Sequence, residues 1–453
     1  DQVYLDYTGG SVYAETQVQQ HMELLLSSVL GNPHSASPAS QRMTEYVEST
    51  RRYILAYFNA SDDYVLIFTP NASGALKLVG ESFPFAPGTR YLAIFDNHNS
   101  VNGIREFARA KGAVVEYARL TPLSLRCDMV ELETLLDKAD RSCENLFAYP
   151  AQSNYSGVKH PLAMVDMAQK AGWHVLLDAA AFVATNALDL STVKPDFVSV
   201  SFYKMFGYPT GVGALLVRRS VLPKLRRPWF GGGTVSFASV QGQSHVLSRD
   251  EAGFEDGTLD FLSIPAVEIG LRHLEFIGMD RIRERVRCLT GWLLQELLAL
   301  RHSNGRAMVR IYGPTTVQER GGTVTLNLYD PQAHLLDYRR VEELAAQERI
   351  SLRTGCFCNP GAAESAEGLN EEDMHAGYQL GNDANLQSFR RLLQSRGANK
   401  SPGAIRASIG LVTNFADVWR FVKFLERFRD QKSLAIGEVT FDVESCRVIR
   451  DGS

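Results

Sequence analysis

The sequence is poor in several things, and each shortage excludes a class of protein. Only six of its 453 residues are cysteine (127, 143, 288, 356, 358 and 446), too few for a disulfide scaffold in a chain of this length. No stretch approaches the 18 or so consecutive apolar residues that span a bilayer, so no membrane crossing is expected. Charge of one sign is also missing: 47 basic residues face 51 acidic ones, for a net charge of −4. A general nucleic-acid binder is therefore not expected, and any basic site must be local. There is no low-complexity tract and no internal repeat, and no basic-then-apolar leader is expected. Together with the sparse cysteines, these absences point to a reducing compartment, most simply the cytoplasm. At 45% hydrophobic and 22% charged, the composition is that of a folded globular chain.

Its length fits two or three domains by the usual prior of roughly 150 residues each. From about residue 39 to 217, helical and strand patterns alternate. The segment 37–58 places Met43, Tyr46, Val47, Ile54 and Phe58 on one helical face. Short apolar runs then recur with helices between them: YVLIFT (64–69), RYLAIF (90–95), AVVEYA, NLFAYP, WHVLLD (173–178), DFVSVS (196–201) and GALLVR. Runs apolar at every position, separated by helices, predict a mainly parallel α/β sheet covered on both faces. Residues 228–263 read as an extended connection, and long helices (265–302, 415–430) with a few strands such as TVTLNLY (323–329) follow. We divide the chain into a large domain with an N-terminal arm (1–263), a smaller α+β domain (264–432) and a tail (433–453) that reads as the possible start of a further domain. Residues 359–403 form a polar insertion.

Binding sites in such sheets lie at the carboxyl ends of the strands. After YVLIFT, the run Pro-Asn-Ala72-Ser73-Gly opens a helix whose free N–H groups suit an anion, though Asn71 or Ser73 acting as a plain helix cap is the simpler reading. His98 follows the next strand, where a lone histidine is more often structural. Gln152 and Asn154 follow NLFAYP and suit either a ligand or a polar turn. Asp178 ends a buried strand, where a carboxylate is costly without a cation or donors. Lys204 stands just beyond the next strand, a candidate for a desolvated Schiff-base amine. An amine, a carboxylate for a pyridine nitrogen and a phosphate-type helix end are together what pyridoxal phosphate requires.

These residues carry a resemblance. The segments YLDYTGG (4–10), GNPHS (31–35), AYPAQSNYSGVKHPL (148–162), LLDAAAFVATNALDLS (176–191), SFYKMFGYPTGVGALLVR (201–218), WFGGGT (229–234), FEDGTLDFL (254–262) and RTGCFCNPGA (353–362) resemble fold-type I, class V pyridoxal-phosphate enzymes of the cysteine desulfurase group. Within that group the chain is most similar to the N-terminal domain of molybdenum-cofactor sulfurases. The resemblance implies that Lys204 binds the cofactor aldehyde, Asp178 pairs with the ring nitrogen, and His98 stacks on the ring. Ala72, Ser73, Ser201 and Tyr203 would contact the phosphate, and Thr258 would reach the phosphate of a neighbouring subunit in a homodimer. Asn154 would lie near the cofactor and the substrate carboxylate, which Arg406 would clamp. Cys358 would attack the sulfur of L-cysteine or a related sulfur amino acid, for transfer to an acceptor protein or cofactor. The chain departs from the family's patterns at Tyr7, Ala181 and Ala363.

Three other readings compete, one of them a non-catalytic scaffold or acceptor-binding partner that keeps the fold, against which intact Lys204, Asp178 and Arg406 argue. Cys356 and Cys358 could ligate a metal, but no second Cys or His pair stands nearby to complete a zinc site, so none is expected. Another class V reaction on a β-substituted amino acid, such as C–S lysis, β-elimination or epimerisation, would use the same scaffold.

Overall fold

The computed structural model describes residues 2–396, 400–442 and 447–449. Seven strands make the central sheet: β1 (Tyr64–Thr69), β2 (Arg90–Ile94), β3 (Val114–Ala118), β4 (Asn145–Pro150), β5 (Trp173–Asp178), β6 (Phe197–Ser201) and β7 (Gly213–Arg218). Their order is β1-β7-β6-β5-β4-β2-β3. All neighbours are parallel except β7, which is antiparallel to both β1 and β6. The mainly parallel α/β expectation holds.

The apolar runs behave as a sheet covered on both sides must. Successive side chains of a strand point to opposite faces. Leu66 and Phe68 accordingly join one core with Val175 and Leu177, while Val65 and Ile67 join a second core with Leu176 and Leu215. The helix expected over 37–58 runs Pro38–Tyr57, capped by Ser37, with Met43, Val47 and Ile54 buried. Two apolar faces need two layers of helices, and this arrangement leaves the strand ends as the open rim.

A second, antiparallel sheet joins Val309–Tyr312, Thr323–Leu328, Ala404–Ser408 and Arg353–Gly355 in that order. The N-terminal arm, read with residues 1–263, pairs here through Val3–Tyr4, which lies parallel to Ile350–Ser351. Asp6 follows directly and is thereby carried to the junction of the two sheets.

Three expectations change. The helical stretch 265–302 is two helices, Ile264–Ile277 and Met279–Ala299, because Gly278 at φ +92° turns the chain as the first ends. The connection 228–263 contains an antiparallel pair, Val235–Ser239 with Ser244–Leu247. Among the described residues, the insertion 359–403 holds three α-helices, Pro360–Glu367, Glu371–Tyr378 and Leu386–Ser395. In the tail, Thr440–Asp442 pairs with Arg447–Ile449; Cys446 lies outside the described residues. No helix among the described residues is long and apolar enough to cross a membrane.

Candidate active site

The carboxyl ends of the central strands open onto a cavity of about 190 Å³. Ten of the residues singled out from the sequence line it: Asn71, Ala72, Ser73, His98, Gln152, Asn154, Asp178, Ser201, Tyr203 and Lys204. Each stands at or just past a strand end, so the sheet itself aims them at one point.

Lys204 lies in the short helix Phe202–Phe206 that follows β6. Burial pushes its ammonium pKa down and Arg406 adds to the shift, against the pull of Asp178. Desolvation thus favours the neutral, nucleophilic amine. Asp178, at the end of β5, is buried, and its Oδ1 accepts from the Ala180 N–H at 3.1 Å and from the Ser199 hydroxyl at 3.0 Å. His98 is also shifted down, by burial first and then by Lys204. Its Nδ1 accepts from the Ser100 N–H at 3.1 Å, which leaves Nε2 as the protonated nitrogen of a neutral ring.

At the other end of the cavity stand hydroxyls and a helix start. Asn71 caps the helix Ala72–Ser82 by accepting from the Gly74 N–H at 3.0 Å, as the simpler reading held. Ser73 is left to contact Ser100, with their oxygens 2.5 Å apart, and the Ala72 N–H donates to the Ser201 hydroxyl at 2.8 Å. An amine of depressed basicity, a buried carboxylate and a group of hydroxyl and N–H donors at a helix start form the donor set pyridoxal phosphate needs, so the residues present fit that cofactor.

The other three expected residues do not line this cavity. Arg406, on the strand Ala404–Ser408, is buried; its Nη1 donates to the Asn154 carbonyl at 3.0 Å and its Nη2 to Asp6 Oδ1 at 3.1 Å. Burial lowers its pKa to about 10. Its Nε is buried without a hydrogen-bond partner among the described residues. Cys358 is exposed, two residues from the half-buried Cys356, whose thiol burial pushes up. Thr258 lies on a separate cavity of about 420 Å³ beside Thr69, Pro70 and Gly74.

Several participants escaped sequence reasoning. Asp6 also holds Arg353, whose Nη2 donates to Oδ2 at 2.7 Å, so one carboxylate bridges two guanidiniums. Ser199, which steadies Asp178, was readable as the residue across the sheet from it. Gly361, which looks from the sequence like a hinge of a mobile cysteine loop, sits inside the helix Pro360–Glu367. A Cβ there would come within 2.2 Å of the Phe95 carbonyl, so its smallness serves close packing.

The chain matches the family described as Aminotransferase class-V over residues 3–421. It belongs to that family. The molybdenum cofactor sulfurase of Solanum lycopersicum is 36% identical over 94% of this chain and 55% of its own length. The chain spans about half the length of the curated relatives it matches. Among solved structures, the apo cysteine desulfurase of Thermococcus onnurineus NA1 superposes with a TM-score of 0.77 at 22% identity, covering 94% of both chains. A C-DES mutant with glycine covalently linked to its PLP cofactor gives 0.70 at 16% identity, covering 94% of this chain and 96% of that one. The covalently linked PLP belongs to that neighbour; in this chain the cavity at the strand ends has the donor set such a cofactor needs.

Proposed function

We propose that the protein removes sulfur from L-cysteine, leaving it as a persulfide on Cys358 and releasing L-alanine. The observation that carries this reading is convergence: Lys204 and Asp178 line one cavity, and Asn154 in its wall is bonded both to Arg406 and to the loop bearing Cys358.

Lys204 would hold the cofactor aldehyde, Asp178 the ring nitrogen, and Ala72, Ser73, Ser201 and Tyr203 the phosphate, with His98 against the ring. When bound, the cofactor supplies an electron sink for carbanion chemistry. The chain's own residues supply the rest. Arg406 binds the substrate carboxylate, which would give its orphaned Nε a partner. Lys204 Nζ, whose hold on a proton burial weakens, takes the substrate α-proton. Cys358 Sγ attacks the substrate sulfur: the S–S bond forms, the Cβ–S bond breaks with its electron pair kept on carbon, and a proton takes the place of sulfur there. Cysteine and the enzyme thiol become alanine and the enzyme persulfide, with no outside oxidant. Cys356 suits this role less well, since burial holds its thiol protonated.

Thr258 stands away from its own chain's cavity, which supports its reaching a neighbouring subunit's phosphate in a homodimer. The sulfur acceptor would be a protein or cofactor that meets the exposed Cys358. The two sheets lie on either side of residue 263, which supports the proposed boundary there.

The test is product analysis with L-cysteine. Alanine should form in step with sulfur, brief exposure should add 32 Da to the Cys358 peptide, and Cys358→Ala should abolish sulfur release while Cys356→Ala keeps most of it. Pyruvate in place of alanine would identify C–S lysis and overturn the reading.

A further inference from the structure

The segment from Cys356 to Asn359 closes a turn on itself, and its last three residues are tied to other parts of the chain. The Cys356 carbonyl accepts from the Asn359 N–H at 3.0 Å. The Phe357 carbonyl accepts from Asn154 Nδ2 at 2.7 Å, and the Cys358 carbonyl from the Asn99 N–H at 2.6 Å. Asn359 itself is fully buried. Its Nδ2 donates twice, to Asp96 Oδ1 at 2.7 Å and to Asn154 Oδ1 at 2.9 Å, while its Oδ1 caps the following helix by accepting from the Ala362 N–H at 3.2 Å. Asp96 is in turn fixed by the Ser153 hydroxyl at 2.7 Å and by His160 Nε2 at 3.0 Å.

Two further features show that the segment is held in place rather than merely resting there. Phe357 and Cys358 take successive left-handed backbone conformations, φ +55° and +54°. Non-glycine residues adopt that region at a cost and keep it only where the surroundings impose it. The Phe357 ring lies 4.6 Å from the Arg406 guanidinium carbon, so the same clamp reaches the proposed carboxylate binder.

We propose that Asn359 is the positioning residue for the cysteine loop. Its side-chain amide latches the loop to Asp96 and Asn154 on the central-sheet side, so the Cys358 thiol is presented at a fixed place instead of swinging in from solvent. The inference rests on the reading of Cys358 as the sulfur carrier. Its first test needs no catalysis, so the two can fail separately.

The Asn99 amide is the reporter, because it donates to the Cys358 carbonyl on the loop. In the wild-type protein this amide should be protected from hydrogen exchange; exchange at the rate of an unstructured amide would overturn the proposal, whatever any variant does. Asn359→Ala should speed its exchange by about tenfold or more, since opening the loop no longer breaks the latch. Asn359→Ser keeps a good helix cap but lacks the amide donor, and should exchange like the alanine variant. If serine restores wild-type protection, the cap alone is at work and the proposal falls. In turnover, both variants should lose about tenfold in kcat with a smaller change in KM for cysteine, because Arg406 keeps its bonds to Asp6 and the Asn154 carbonyl while the nucleophile is misplaced. A KM effect without a kcat effect would contradict the assignment. If the latch results hold and Cys358→Ala still releases sulfur, only the sulfur-carrier reading is lost.

Discussion

Glu367 closes the first helix of the insertion and is 7% exposed. Its Oε1 accepts from Asn327 Nδ2 at 2.7 Å, with Tyr312 and Arg310 also close. Burial outweighs these partners and raises its carboxyl pKa from 4.5 to about 7. A carboxyl whose pKa is raised on folding binds more protons in the folded than in the unfolded chain between those two values. Stability therefore falls as pH rises through that window, since its slope with pH follows the protons bound unfolded minus those bound folded. About 2.5 units at about 1.4 kcal/mol each gives a loss of about 3 kcal/mol by pH 8. Glu367→Gln keeps an oxygen for Asn327 and carries no charge. The variant should match the wild type near pH 4.5 and exceed it by about 3 kcal/mol at pH 8. Urea denaturation of both proteins at half-unit steps of pH measures the difference, in which all other titrating groups cancel. A difference that stays flat across pH, or that favours the wild type at pH 8, would refute the reasoning.

Two further predictions concern the site. Borohydride treatment of cofactor-loaded protein should fix the cofactor on the peptide containing Lys204, and Lys204→Ala should lose both that label and the visible absorption band; a label retained elsewhere with full turnover would remove Lys204 from its role. Asp6→Ala leaves Arg406 buried without its carboxylate. That should cost about 3–5 kcal/mol of stability, as breaking a buried pair does. Arg353 adds little because its side chain is 54% exposed in the pair. KM for cysteine should change as well, because the guanidinium of Arg406 is no longer held in place. Unchanged urea midpoints with unchanged KM would show the bridge to be idle.

What could be read from the sequence followed the range of the physics involved. The strands announced themselves because a sheet buried on both faces demands apolar residues at every position, and the site followed because strand ends converge. Asp178 was legible by a rule that would also have found Asp6: a carboxylate just past a buried strand needs cations, and Asp6 follows Val3 and Leu5, both fully buried. The break at Gly278 was hidden because apolar periodicity runs through it on both sides, and only the positive φ shows the turn. The Cys358 loop was the hardest case. Gly355 and Gly361 flank it and read, by sequence alone, as hinges of a mobile loop, since glycine permits mobility. What holds the loop is Asn359, whose partner Asp96 lies 263 positions earlier in the chain. No local pattern encodes a contact at that separation; it exists only once the strand ending before Asp96 and the sheet carrying Arg353–Gly355 have been packed together. The residues proposed for the chemistry are thus written mostly in strand order, whereas the one proposed to aim the thiol is defined by the fold.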